Sequence, residues 1–160
     1  MSIKFRKAVP EDAAIIGEMI VALTTEICVI TNAQHFDICL SETIDNCREL
    51  LLKRHYEAIL GFDENYENRP IGVVTMAETY ALYAGGKVGV IQEFYTLPEH
   101  RSSGIGSLLV EQVKLHGQQS SWACIELCTP PLPEFERSLQ FYERNGLKPV
   151  GGRKMRQSLV

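Results

Sequence analysis

The stretch "EHRSSGIGSLLVEQV", residues 99–113, sets an arginine, two serines and two glycines directly before an amphipathic apolar pattern. A helix that starts near Gly104 leaves its first backbone N–H groups without intrahelical acceptors, and the positive end of its dipole adds to them. Such a start is a ready anion site. Glycine at 104 and 106 removes the Cβ atoms that would hold a pyrophosphate away, and Arg101 brings a full charge to the mouth of the loop. Ser102 or Ser103 is placed to cap the helix or to meet an oxygen. The same glycines also suit a tight turn and close packing, and the spacing alone leaves both readings open. Two nucleotide-binding patterns fail. No Lys-Ser/Thr follows the glycines as a Walker loop requires, and Leu109 stands where GxGxxG needs its third glycine.

A second stretch, "FYERNG", sets Phe141 and Tyr142 next to each other, and on their own the two read as core aromatics. The two stretches taken together, "YTLPEHRSSGIGSLLVEQV" and then "FYERNGLKPVG", resemble the GNAT superfamily of acetyl-coenzyme A-dependent N-acyltransferases. The family signature Q/R-x-x-G-x-G/A is matched by Arg101, Gly104 and Gly106, with Pro98 in the lead-in.

The resemblance implies a set of roles. Residues Ser102, Ser103, Gly104, Ile105, Gly106 and Ser107 would wrap the phosphates of the coenzyme beside Arg101, and the backbone of Tyr95, Thr96 and Leu97 would pair with the pantetheine amides. A bulge near Glu93 to Tyr95 would splay the strand "KVGVIQEFYTL" from its neighbour and leave those groups unpaired. Tyr142 would protonate the thiolate. Glu93, or a water relay, would take the proton from the amine; its plain alternative is a solvated or salt-bridged glutamate. Glu26, Glu78 and Tyr80 are the acceptor-pocket candidates. One departure stands out: many relatives carry an Asn seven residues before the tyrosine, and this chain has Phe135 there.

The elements that must position these residues follow from periodicity. "IKFRKAV" alternates as a strand, and "PEDAAIIGEMIVALTTEI" and "SETIDNCRELLLKRHY" carry helical spacing on either side of a loop at 31–40. "YEAILGFD", "PIGVVTMAETYALY" and "KVGVIQEFYTL" are β-branched and aromatic-rich, separated by turn clusters, and predict an antiparallel meander. A helix to about Gln119, a strand "WACIELCTP", a helix "PEFERSLQFYERNG" and a last strand near "RKMRQSLV" complete the order β-α-α-β-β-β-α-β-α-β. The expected fold is α/β of the α+β type: one domain over 1–160, a mixed, mostly antiparallel sheet of six to seven strands, and about four helices.

Composition narrows the partners. With a net charge of -4 the chain lacks the basic excess of a nucleic-acid surface, and a small cationic amine is favoured over a polyanion. Gly17 and Glu18 interrupt the apolar run "AAIIGEMIVAL" short of the roughly 18–20 residues of a membrane span, and the start lacks a signal-peptide pattern. A cytoplasmic protein without a membrane partner is expected. Five cysteines without a CxxC pair read as reduced thiols; Cys124 and Cys128 lie about 13 Å apart along a strand, too far to share one metal ion.

The activity that the resemblance implies is transfer of acetyl from acetyl-coenzyme A, as co-substrate and without a metal, to a primary amine of a small molecule or protein. A homodimer is left open. Two other readings remain: a non-catalytic acyl-coenzyme A binding or sensing domain, which needs neither Tyr142 nor Glu93, and an interaction protein in which the glycines only turn the chain.

Overall fold

The computed structural model describes residues 2–66 and 68–160. Strand β1 (Ile3–Lys7) leads through a short 3₁₀ turn into helix α1 (Ala13–Thr31), then helix α2 (Leu40–Leu52) and strands β2 (Glu57–Asp63), β3 (Pro70–Ala81) and β4 (Gly86–Thr96). Helix α3 (Ile105–Gln119), strand β5 (Cys124–Leu127) and helix α4 (Glu136–Arg144) follow. The sheet order is β1-β2-β3-β4-β5, antiparallel except for the β4–β5 pair that flanks the α3 crossover.

The pleat of β3 divides the core. Val73 turns toward α1 and packs with Ile16, Met19, Ile20, Leu60 and Tyr95, whereas Val74 and Met76 turn the other way onto Ile105, Leu109 and Val113 of α3. Burying apolar side chains on both faces gives β3 its near-continuous hydrophobic run, with Pro70 through Met76 all buried. Gly17 is the point where α1 and α2 cross closely, because a Cβ there would lie 2.6 Å from Ile44 Cγ1.

Two expectations are corrected. First, Gly17 and Glu18 do not interrupt α1: with its leading turn, the helical segment Pro10–Thr31 is long and apolar enough to cross a membrane by length and composition. Here it is a core helix, with Ala13, Ile16, Gly17, Met19, Ile20 and Ile27 buried. It ends where Asn32 takes a left-handed conformation, φ 49°.

Second, the sheet among the described residues has five strands, and 153–160 form none. A strand is stabilised by burying one of its faces. In this segment Met155 is 91 % exposed and Leu159 90 %, so no alternating face is covered.

Candidate functional site

The β3–β4 register steps from Thr75↔Glu93 to Met76↔Ile91, which leaves Gln92 unopposed. The bulge thus lies at Gln92, one residue before the expected Glu93–Tyr95 stretch. Parallel pairing with β5 stops at Ile91↔Leu127, so beyond the bulge no strand among the described residues lies beside the outer edge of β4. Leu97 N–H donates to the Ile71 carbonyl at 2.9 Å, and antiparallel alternation then engages Tyr95 with Val73. The backbone groups of Phe94 and Thr96 face the open edge. Of the expected trio Tyr95, Thr96 and Leu97, only Thr96 presents its backbone to the gap, and Phe94 joins it. The reason is geometric: successive residues of a strand point their N–H and C=O groups to opposite edges.

At the start of α3, Gly104 is the N-cap with φ 88°, and no side chain caps the helix. The first backbone bond runs from Leu108 N–H to Gly104 C=O, so the N–H groups of Ile105, Gly106 and Ser107 have no intrahelical acceptor. A Cβ at Gly104 would meet nothing within 4 Å, leaving the loop open to a ligand. Gly106 serves a different purpose. Its Cβ would sit 3.0 Å from Phe141 Cζ, so this glycine lets α4 approach α3 rather than clearing space for a phosphate. Ile105 faces inward at 1 % exposure and anchors the helix start in the core. Ser102 holds φ 65°, and the Ser103 hydroxyl donates to the His100 carbonyl at 2.5 Å instead of capping the helix.

Arg101 is not a free cation at the loop mouth. Its guanidinium forms a two-pronged pair with Glu26 at 2.8 and 3.0 Å, its Nε–H donates to the Thr96 carbonyl at 3.0 Å, and it lies 5.4 Å over the Tyr95 ring. The fork of the guanidinium matches a carboxylate, so the two groups satisfy each other. This corrects two expectations together: Glu26 ties α1 to the loop rather than lining the acceptor pocket, and Arg101 positions the loop and the end of β4.

Glu93 and Tyr142 line one cavity of about 1010 Å³, walled by α1, α2, the end of β4 and the loop after β5. Thr75 donates its hydroxyl to Glu93 and accepts the Glu93 backbone N–H at 3.0 Å, while the Tyr56 hydroxyl lies 3.5 Å from the same carboxylate. Burial pushes the Glu93 carboxyl above its ordinary range, against the opposing pull of those two hydroxyls. Tyr142 is 8 % exposed, edge-on to Phe94 with ring centroids 5.9 Å apart. Burial raises its phenol as well, which keeps it protonated. The Cys47 thiol in the same wall is pushed up to about 11, mainly by burial, and stays neutral.

Glu78 and Tyr80 fall elsewhere. With Thr75 facing the cavity, the two-residue period puts 76, 78 and 80 on the α3 face. There Glu78 accepts from Trp122 Nε1 at 2.9 Å, and Tyr80 is 74 % exposed near the hairpin tip. Sequence reasoning missed Thr75 and Tyr56. Thr75 had a signal, as the one hydroxyl inside the apolar run "PIGVVTMA"; Tyr56 had none.

A family model described as "Acetyltransferase (GNAT) family" matches residues 24–147. No curated protein sequence matches significantly. Among solved structures, a possible acetyltransferase from Clostridium difficile 630 superposes with a TM-score of 0.80 at 15 % identity, covering 100 % of this chain and 99 % of that one. A predicted acetyltransferase with acetyl-CoA from Clostridium acetobutylicum gives 0.78 at 16 %, covering 98 % and 96 %. The ribosomal-protein-alanine N-acetyltransferase from Brucella melitensis biovar Abortus 2308 gives 0.72 at 17 %, covering 98 % and 100 %. At these identities the superpositions speak for a shared fold. The family match spans more than three quarters of the chain, on the bulged β4, the α3 loop and α4, and on that ground the chain belongs to the GNAT family of acetyltransferases.

Proposed function

We propose that the protein is an N-acetyltransferase that moves an acetyl group from acetyl-coenzyme A to a primary amine by direct attack with both substrates bound. One observation carries this reading: the open edge of β4 runs from the cavity holding Glu93 and Tyr142 toward the uncapped start of α3. The residues fit the coenzyme. Three N–H groups without intrahelical acceptors and an unobstructed Gly104 suit its phosphates, and the outward backbone of Phe94 and Thr96 suits its amides. The Thr96 carbonyl retains a second lone pair beside its bond from Arg101.

Acetyl-coenzyme A supplies an activated acyl carbon as its thioester. Glu93, positioned by Thr75 and Tyr56, accepts a proton from the ammonium form of the acceptor, directly or through water, and frees the nitrogen lone pair. Its raised carboxyl is better matched to this task near neutral pH than an ordinary carboxylate. As the N–C bond forms and the C–S bond breaks, Tyr142 gives its proton to sulfur. The nitrogen sheds its second proton to solvent as the C–S bond breaks, the Tyr142 phenolate takes one back from solvent, and Glu93 releases the one it accepted, so that one proton is freed per acetyl transferred. Holding the two reactants together supplies much of the acceleration. The name of the Brucella neighbour, an alanine N-acetyltransferase, supports nitrogen as the acceptor atom.

Calorimetric titration with acetyl-coenzyme A, using Gly104→Glu as control, tests the loop; binding retained in that variant would overturn the phosphate assignment. Thiol release across a panel of amines tests the reaction. If acetyl-coenzyme A binds and no amine is turned over, the non-catalytic sensing domain becomes the better reading.

A further inference from the structure

The segment after α4 carries two cations, Lys154 and Arg156, into the wall of the cavity that holds Glu93. One residue separates them, Met155, which is 91 % exposed and is not part of that wall. Among the described residues they are the only lysine or arginine in that wall, and no ion pair engages either of them. Of the two acids there, Glu126 already accepts from the Tyr83 hydroxyl at 2.9 and 3.1 Å, and Glu93 is held by Thr75 and Tyr56.

The cavity is therefore two-ended. A half-buried carboxyl with two hydroxyls sits inside, and a pair of exposed, unmatched cations sits on a segment of the rim. Neither cation forms an ion pair with the Glu93 carboxyl, whose partners are the Thr75 and Tyr56 hydroxyls. Nor do the cations belong to the phosphate loop: none of residues 95–125, and so no part of the α3 start, contributes to this wall. Arginine and lysine side by side are suited to a carboxylate or phosphate oxygen.

We propose that Lys154 and Arg156 form an anion subsite, and that the acceptor is a small primary amine carrying its own anionic group, its amine toward Glu93 and its anion toward the rim. This rests on the acetyltransferase reading above and names the substrate class for it. The whole-chain net charge of -4 favoured a small cationic amine; the two rim cations favour one that also carries an anionic group.

The test compares matched probes under saturating acetyl-coenzyme A, following thiol release: each α-amino acid against its α-amide, and O-phosphoethanolamine against ethanolamine. The expected result is that kcat/KM favours the anionic member of at least one pair by about tenfold, the worth of a charge-assisted hydrogen bond. In the K154Q/R156Q variant that ratio falls to about one, through the KM of the anionic probe. The pair that responds distinguishes a carboxylate from a phosphate. Equal use of both members of every pair, or a preference that survives in the variant, overturns the subsite. Where no probe is turned over, saturation-transfer NMR of the same anionic probes decides: binding lost in K154Q/R156Q supports the subsite, and absence of such binding overturns it. Acetyl-coenzyme A binding is titrated in parallel, and its failure counts against the acetyltransferase reading rather than the subsite.

Discussion

The two faces of the sheet are built from the same strands and do opposite things. On the α3 face, Val74, Met76, Ile105, Leu109 and Val113 are at most 1 % exposed and close the layer. Even its polar member is packed in, with His116 5 % exposed and its Nε2 2.6 Å from Glu57. On the α1–α2 face, the core of Ile16, Met19, Val73 and Leu60 gives way toward the end of β4 to a cavity of about 1010 Å³ lined by Thr75, Glu93 and Tyr142. One face stores stability and the other leaves part of it unrealised to make room for chemistry. Stability and activity should therefore be separable by substitution.

The sharpest separation is expected at Glu93. Glu93→Gln should lower kcat/KM by about a thousandfold, on the order of 4 kcal/mol in transition-state stabilisation, without lowering the urea midpoint, because a half-buried acid is replaced by a neutral isostere. In the parent enzyme activity should fall as pH falls, since a base works only when deprotonated. With the Glu93 carboxyl raised by burial beside Thr75, Tyr56 and Cys47, that fall should begin at higher pH than for an ordinary glutamate. A pH–rate profile unchanged by Glu93→Gln would remove Glu93 as the base.

The converse experiment is Leu109→Ala on the closed face. Its side chain is fully buried and lies against the space above Gly72. About 3 kcal/mol of unfolding free energy should be lost in urea titration, while the folded fraction keeps its kcat within roughly twofold.

A smaller effect sharpens the boundary between the faces. Glu26→Gln should weaken acetyl-coenzyme A binding by about threefold, as Arg101→Gln should, because the partly exposed pair acts by holding the loop and is worth only about 1 kcal/mol or less. If Arg101 instead binds phosphate itself, Glu26→Gln would release it and tighten binding. Tyr80→Ser should do least: within twofold in kcat/KM and within about 0.5 kcal/mol in stability, as for an exposed side chain remote from the cavity.

Legibility in the sequence followed the distance over which each feature is determined. The α3 start was readable because a helix N-terminus is made by consecutive residues, and its free N–H groups exist whatever surrounds them. The β4–α3–β5 crossover was readable from periodicity and chain order, since a parallel pair needs an intervening connection. Gly104 and Gly106 looked equivalent in the sequence. Only the packing of Phe141 against one of them separates a ligand-facing glycine from a contact glycine.

What the sequence by itself determined is the local chemistry: an uncapped, glycine-led helix start, an acid on a strand, a tyrosine on a later helix, and the order in which they come. What only the tertiary structure decided is who partners whom. Glu26 and Arg101 are 75 residues apart and neutralise each other; Thr75 comes to Glu93 from β3, and Tyr56 from the turn before β2. The bulge at Gln92 determines which backbone groups of β4 are left open, and a two-residue period sends Glu78 and Tyr80 to the wrong face. Short-range geometry is written residue by residue, whereas charge pairing, burial and the facing of a strand depend on what the rest of the chain brings within a few ångströms.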